Sequence, residues 1–272
     1  MVAIGIIGCG TMGSEVATAV AEGRVGNAKV SAIYDQDMSR ANILARVLAD
    51  HVKVVLEVQD MLDDPGISVV VECASQQAAR EYGVPILEAG KDMLMISSGA
   101  LVDQKLFRSL SKAADKTNCQ LLVPSGALGG IDALRAARGY IDEITLVSTK
   151  RPKAFSGAPG FAQWEDEEIK KPTVLYDGPA SDAASLFPAN INVAATVSLA
   201  GLGPDLTKVR VVADPESPGN VHEVHAKGGF GEARIKLINR PHERNPKTSL
   251  LAVLSVIETL RTLCGSGLRI GT

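Results

Sequence analysis

Cysteine is scarce in this sequence, and its cysteines stand far apart. They are Cys9, Cys73, Cys119 and Cys264, and no C-x-x-C pair occurs among them. This spacing excludes the common zinc-binding motifs and the thioredoxin-like redox motif. Histidines and acidic residues add no cluster with the spacing of metal ligands, so we expect no metal. We interpret the cysteines as small buried side chains of a protein from a reducing compartment.

An excess of charge of one sign is also missing. The formal net charge is −3 and the isoelectric point is about 5.9, which gives no electrostatic case for binding nucleic acid or an anionic membrane. The N-terminal residues lack a basic segment followed by a cleavage site of small residues. We therefore expect no secretory signal and a cytoplasmic location.

Long apolar runs are nearly absent. One uncharged stretch, residues 183–204, is long enough to raise the question of a membrane span. Pro188, Asn190 and Gly201 interrupt it, so we interpret it as a buried helix around residues 189–202. With 46% hydrophobic and 22% charged residues over 272 positions, the composition is that of a folded protein with one large or two moderate domains.

A glycine-rich turn near the N-terminus carries the strongest local signal. Residues 2–7 read VAIGII, which predicts a buried strand, and the next six read GCGTMG before a helix-compatible segment. In a dinucleotide-binding turn the first glycine permits the tight turn, the second lets the backbone approach a pyrophosphate, and the third lets the helix pack on the sheet. The predicted cofactor contacts of this turn are Gly8, Gly10, Thr11, Met12 and Gly13.

The predicted cofactor is NAD. A second apolar run, residues 29–34, ends at Asp35, about twenty residues beyond the glycines, where an acid hydrogen-bonds the ribose hydroxyls of adenosine. The carboxylate of Asp35 repels a 2′-phosphate and so favours NAD. Arg40 lies a few residues on and could accommodate that phosphate, which keeps NADP open as an alternative.

Strand and helix patterns alternate over the first 125 residues. After Asp35 the predicted elements are a helix over 38–50, a strand over 68–73, a helix over 75–89, a strand over 91–97, a helix over 103–116 and a strand over 120–123. This alternation is typical of a doubly wound parallel sheet. We therefore expect an α/β fold in which residues 1–125 form a Rossmann dinucleotide-binding domain.

From residue 126 the pattern changes to that of an α+β domain. Predicted strands lie at 144–149, 174–176, 208–213, 221–226 and 233–238, and an exposed excursion rich in proline and glycine lies at 151–171. This pattern favours a mixed or antiparallel sheet with helices on one face. Residues 126–244 form the predicted substrate domain. The last segment, 245–272, contains a predicted helix over 247–263 that we expect to pack back on the first domain.

Two histidines of one predicted strand are candidate proton carriers. His222 and His225 are three residues apart, so their side chains face opposite sides of the strand. At most one of them faces a given pocket, and the spacing alone does not choose between them. A lone histidine in a strand is also more often structural than catalytic.

Segments along nearly the whole chain together resemble L-aspartate dehydrogenases. They are the glycine-rich start, SGALGGIDAL (125–134), FPANINVAATVSLAG (187–201), NVHEV (220–224), GGFGE (228–232) and NPKTSLLAVLSVIETLR (245–261). The resemblance implies that His222 is the active-site residue. It also implies that Ala127 and Asn192 contact the dinucleotide, with Asn190 as a rival to Asn192.

The resemblance further implies an NAD(P)-dependent enzyme that oxidises L-aspartate through iminoaspartate to oxaloacetate and ammonia, or runs in reverse, and that supplies iminoaspartate for NAD biosynthesis. We expect His222 to act on the water or amine as an imidazole with a pKa near neutrality. Lys247 and Thr248, at the start of the predicted last helix, are candidate ligands for the substrate carboxylates, and a simple N-cap motif is the alternative. A homodimer is the default expectation.

Two other interpretations stay open. A related two-domain oxidoreductase, such as a homoserine dehydrogenase or a dihydrodipicolinate reductase, has the same plan, although the NVHEV and NPKTS segments argue against it. A non-catalytic sensor would bind NAD without turning over any amino acid.

Overall fold

The computed structural model describes residues 1–48, 52–188 and 191–265, apart from the side chains of residues 246 and 247. This part of the chain divides into two compact units. The first holds Met1–Pro124 and the segment that begins at Val253, and the second holds Ser125–Ala252. Within the described ranges, no helix is both long and apolar enough to cross a membrane.

The first unit is a six-stranded parallel sheet with helices. Its strands are β1 (Val2–Ile7), β2 (Ala28–Tyr34), β3 (Lys53–Val54), β4 (Val69–Glu72), β5 (Asp92–Met95) and β6 (Leu121–Leu122). Its helices are α1 (Thr11–Ala21), α2 (Met38–Leu48), α3 (Val58–Leu62), α4 (Gln76–Glu88) and α5 (Gln104–Thr117). The strand order is β3-β2-β1-β4-β5-β6, and all neighbours run parallel. The predicted Rossmann sheet is confirmed, and its order reverses between β1 and β4, where such sheets bind ligands.

The second unit is built on a five-stranded mixed sheet. Its strands are β7 (Ile141–Lys150), β8 (Thr173–Pro179), β9 (Lys208–Ala213), β10 (Asn220–Gly228) and β11 (Gly231–Asn239), and its helices are α6 (Ile131–Ala137), α7 (Ala180–Leu186) and α8 (Ile191–Ala200). The strand order is β11-β10-β7-β9-β8. Only the β7–β9 pair is parallel among these neighbours. The expected mixed sheet is confirmed.

The segment NPKTS does not begin a helix, which corrects the sequence-based prediction. Residues Asn245–Ser249 form strand β13, which pairs with β12 (Pro241–His242) in a separate two-stranded sheet. The last helix, α9, spans Leu250–Cys264. Its side chains Val253, Val256, Ile257 and Leu260 belong to the core of the first unit, together with residues of β1 and α1. The residue types of this segment fit a helix N-cap, but its pairing with β12 makes it a strand instead.

The excursion at 151–171 is less exposed than predicted. Phe155, Phe161 and Ile169 are buried, and the rings of Phe155 and Phe187 meet edge to face with centroids 5.9 Å apart. The segment therefore contributes an aromatic cluster to the second unit. Two elements of the first unit, α3 and β3, were not predicted because they are too short, at five and two residues, to show a periodic pattern.

Candidate active site

The turn between β1 and α1 leaves room for a ligand at Gly10. A Cβ atom at Gly8, where φ is +98°, would lie 2.7 Å from the backbone nitrogen of Ala74, and one at Gly13 would lie 1.8 Å from the carbonyl oxygen of Gly8. A Cβ atom at Gly10 would meet no described heavy atom within 4 Å. The fold itself thus requires the outer two glycines. The middle one borders open space at the N-terminus of α1, where backbone N–H groups attract phosphate.

Asp35 is held at the end of β2 by two backbone amides. Its carboxylate accepts hydrogen bonds from the N–H of Cys9 at 2.7 Å and from the N–H of Asp37 at 2.8 Å. A carboxylate has acceptor positions to spare for ribose hydroxyls, so this placement suits the predicted role. Arg40, the candidate for a 2′-phosphate, forms an exposed ion pair with Asp37 at 3.3 Å.

A buried carboxylate that the sequence analysis missed organises two loops beside this turn. Glu72 ends β4 and is fully buried. It accepts hydrogen bonds from the amides of Ala74, Ser75 and Ser97 at 2.8, 2.9 and 3.0 Å, and from the Ser97 hydroxyl at 2.9 Å. Burial raises the pKa of Glu72. The signal available in the sequence was an acid at the end of the apolar run VVVE. The role of Glu72 is to fix the backbone at the carboxyl edge of the sheet.

The covered face of the second sheet changes from apolar to polar along its strands. Along β7 its buried residues are Ile144 and Leu146, then Ser148 and Lys150; along the antiparallel β10 they are Ala226 and Val224, then His222 and Asn220. The register pairs His222 with Ser148, and Asn220 with Asn239 of β11. Five buried polar residues therefore share one end of this face. We call it the polar end, and it consists of Ser148, Lys150, Asn220, His222 and Asn239.

His222 is a buried imidazole with a fixed partner. Its side chain is 2% exposed, and its Nδ1 atom lies 3.0 Å from the Ser148 hydroxyl, in a hydrogen bond whose direction depends on the tautomer. Burial first, and the charge of Lys150 second, lower the pKa of His222 to about 3. The expectation of a pKa near neutrality is therefore wrong for the chain without substrate, because the low-dielectric site disfavours the charged ring. His225 lies on the opposite, less buried face.

Two amide side chains tie further segments to the polar end. Asn239 donates to the carbonyl oxygen of Ala127 at 3.1 Å, and Asn220 donates to the hydroxyl of Ser249 at 3.2 Å. The loop that contains Ala127 is thereby attached to β11, and the strand β13 is attached to β10, the strand that carries His222. Thr248, the neighbour of Ser249, is half-buried in β13.

Other predicted site residues are related to the polar end less directly. Asn192 is half-buried in the first turn of α8. Its rival Asn190 and the side chain of Lys247 lie outside the described residues. Ser148 and Lys150 were not predicted, and their only sequence signal was a hydroxyl and an amine two residues apart in a strand. In the part of the chain that the structure describes, no group of three or more His, Cys, Asp or Glu residues could hold a metal ion.

Comparisons with known proteins agree with this two-unit plan. Residues 132–263 match the family described as "Aspartate dehydrogenase, C-terminal", and residues 8–124 match "Homoserine dehydrogenase, NAD binding domain". The chain is 42% identical to the L-aspartate dehydrogenase of Methanosarcina barkeri over the full length of both proteins. It is 37% identical to that of Nitrosopumilus maritimus, with 99% of each chain covered.

Solved structures show the same relation. The crystal structure of aspartate dehydrogenase from Thermotoga maritima matches with a TM-score of 0.77 and 28% identity, covering all of both chains. A homoserine dehydrogenase from Thiobacillus denitrificans matches with a TM-score of 0.64 at 16% identity, covering 97% of this chain and 73% of that one. The second likeness concerns the fold alone.

Proposed function

Because the chain belongs to the L-aspartate dehydrogenase family, we propose that it oxidises L-aspartate to iminoaspartate, which water converts to oxaloacetate and ammonia, and that His222 carries the protons. Enzymes of this family are NAD-dependent oxidoreductases, and the confirmed Rossmann unit is the expected NAD-binding part. NAD, when bound, would supply the acceptor for the hydride that leaves Cα of the substrate.

The first unit supplies the groups that would hold the cofactor. The open space at Gly10 and the N–H groups at the start of α1, including Thr11 and Met12, suit the pyrophosphate. The fixed carboxylate of Asp35 suits the ribose hydroxyls and repels a 2′-phosphate. We infer from this repulsion that the chain prefers NAD to NADP; the alternative cation, Arg40, is exposed and pairs with Asp37.

His222 would transfer one proton in two steps of this reaction. Its neutral ring can take a proton from the water that adds to the imine carbon, and it can then deliver that proton to the departing amine. In the free enzyme its low pKa makes it a weak base. A bound dicarboxylate brings negative charge to the polar end, which raises the pKa of the imidazole toward the range in which it accepts a proton. The hydrogen bond with Ser148 holds the ring in one orientation during both transfers.

One observation supports this role most strongly. An imidazole is fixed at the polar end of a face that is otherwise apolar, beside a buried amine and two buried amides. Folding tolerates such a concentration of buried polar groups only at a cost, and functional sites are where such costs are accepted. We further propose that Ala127 and Asn192 contact the cofactor and that Thr248, with Lys247, helps to bind the substrate carboxylates.

The experiment is to follow NADH absorbance with the purified protein. The reactions are L-aspartate with NAD or NADP, oxaloacetate and ammonia with the reduced cofactors, and L-homoserine with NAD as the control for the homoserine dehydrogenase alternative. We expect L-aspartate-dependent reduction and no reaction with homoserine. His222→Ala lowers kcat by about 10²- to 10⁴-fold, the usual contribution of a general acid–base.

The contrary outcomes are equally definite. Turnover of homoserine but not of L-aspartate would assign the chain to the alternative activity. NAD binding by calorimetry without turnover of either amino acid would identify a sensor. A His222→Ala variant that folds and keeps wild-type kcat would remove His222 from the mechanism.

We also propose that the enzyme is a cytoplasmic homodimer. The support for a dimer is general, since twofold-symmetric dimers are the commonest oligomers of soluble proteins. Light scattering after size-exclusion chromatography tests this, since a dimer has twice the 28.5 kDa mass of the chain.

A further inference from the structure

Lys150 is a buried amine that has no part in the proton transfers described above. It ends β7, two residues after Ser148 and therefore on the same face of the sheet, and only 5% of it is exposed. The register pairs Thr149 with Val221, which brings the end of β7 alongside the residues that precede His222. The charge of Lys150 reaches the imidazole, because it contributes to lowering the pKa of His222.

The polar end has the electrostatic sign of an anion-binding site. Among the described residues of the second unit, the buried polar side chains are hydroxyls, amides, imidazoles and the amine of Lys150, with no buried aspartate or glutamate. A charged ligand that this end recognises is therefore negative. A four-carbon amino acid with two carboxylates has that sign, and each carboxylate needs a cation or amide donors in a buried site.

We propose that Lys150 binds one carboxylate of the dicarboxylate substrate through its ammonium group and thereby selects for substrates with two carboxylates. The inference rests on the proposed function, since L-aspartate supplies the carboxylate. This role of Lys150 also links substrate binding to proton transfer by His222. A carboxylate against Lys150 neutralises the positive charge that disfavours protonation of His222, so the base strengthens only when the correct substrate is bound.

The protonation of Lys150 fits this role. Burial lowers the pKa of Lys150 to about 8, so the ammonium group of the free enzyme loses its proton more readily than that of an exposed lysine. An anionic ligand restores the ammonium form, because opposite charge favours the charged state.

The first unit contains a matched control. Lys91 is also buried, and its ammonium donates to the carbonyl oxygens of Asp64 and Ile67, both at 2.7 Å. These are contacts of a lysine that stabilises the fold. Replacing Lys91 therefore reports the cost of removing a buried ammonium from this protein without touching the polar end.

The test compares Lys150→Met with Lys91→Met and Lys150→Arg. We measure kcat and the KM for L-aspartate, and we titrate succinate, a dicarboxylate without an amine, into the NAD-saturated enzyme by calorimetry. In Lys150→Met, the KM for L-aspartate and the Kd of succinate each rise by about 10- to 100-fold, the worth of a charge-assisted hydrogen bond. In Lys91→Met both values stay within about twofold, and Lys150→Arg recovers part of the succinate affinity because it keeps the charge.

Failure of this inference differs from failure of the proposed function. Wild-type enzyme without L-aspartate-dependent NADH formation overturns the function itself. An active wild type whose Lys150→Met variant keeps the Kd of succinate overturns only the role of Lys150. A fall in kcat with an unchanged Kd of succinate overturns it too, because Lys150 would then act without binding the carboxylate.

A measurement on the wild-type protein tests the inference even where a Lys150 variant does not fold. At pH 8 about half of the Lys150 amines are uncharged, so succinate binding takes up protons there. At pH 6.5 Lys150 is almost fully charged, and proton uptake at that pH comes from His222, whose pKa the bound dicarboxylate also raises. His222 stays neutral at both pH values before succinate binds. Calorimetry in two buffers with different ionisation enthalpies detects the uptake, and equal enthalpies in the two buffers at pH 8 contradict the inference.

Discussion

The hydrogen bond between Ser148 and His222 gives a sharp test of how the imidazole is positioned. The two atoms are 3.0 Å apart and both residues are buried, so in Ser148→Ala water does not freely replace the lost hydroxyl. A buried ring nitrogen left without its partner costs about 1–3 kcal/mol. If that cost falls on the orientation of the ring during proton transfer, kcat drops by about 10- to 100-fold.

The assay is the initial rate of NADH formation at saturating L-aspartate and NAD, with thermal unfolding recorded in parallel. Ser198→Ala is the matched control, since Ser198 is also buried in the second unit and its hydroxyl donates to the carbonyl oxygen of Ala194 at 2.7 Å within α8. We expect both variants to lose some stability and only Ser148→Ala to lose kcat, with little change in KM. Equal kcat in Ser148→Ala and the wild type refutes the positioning role.

Three further predictions concern the cofactor turn and the buried imidazole. Gly10→Ala folds like the wild type but binds NAD at least about tenfold more weakly by calorimetry. Gly13→Ala instead loses thermal stability, because its Cβ atom meets the Gly8 carbonyl oxygen at 1.8 Å. The reverse pattern contradicts the assignment of this turn to NAD binding. Asp35→Ser lowers the ratio of kcat/KM for NAD over NADP by at least about tenfold, because like-charge repulsion of the 2′-phosphate is gone; an unchanged ratio counts against it. For His222, the ring protonates near pH 6.5 in the unfolded chain and near pH 3 in the folded chain, so the free energy of unfolding decreases by about 1.4 kcal/mol for each unit by which the pH is lowered through that window. His222→Gln lacks this pH dependence. Denaturant unfolding curves of the two proteins that shift equally between pH 7 and pH 5 contradict this prediction.

The first unit could be predicted well because its signals are local. The glycine spacing, the apolar run before it and Asp35 at the end of the next strand all lie within the first 35 residues, and the parallel sheet follows from alternation along the chain. The segment NPKTS shows where such signals fail. Its residue types fit a helix cap, yet pairing with β12 makes the segment a strand. That pairing depends on residues outside the segment.

The site in the second unit could be predicted only in part. The spacing of His222 and His225 shows that they face opposite sides, and the buried side is decided by how β10 lies in the sheet. Ser148 is 74 residues from His222 in the chain, and only the antiparallel register of β7 and β10 brings them together. The low pKa of His222 follows from that burial and from Lys150, so it too depends on contacts between distant segments.

The most direct test of the central claim follows the hydrogen itself. L-Aspartate carrying deuterium at Cα is incubated with NAD and the enzyme, and the NADH and oxaloacetate formed are analysed by mass spectrometry. We expect one deuterium in each NADH molecule and one oxaloacetate for each NADH. NADH without deuterium, or no NADH from L-aspartate at all, contradicts it.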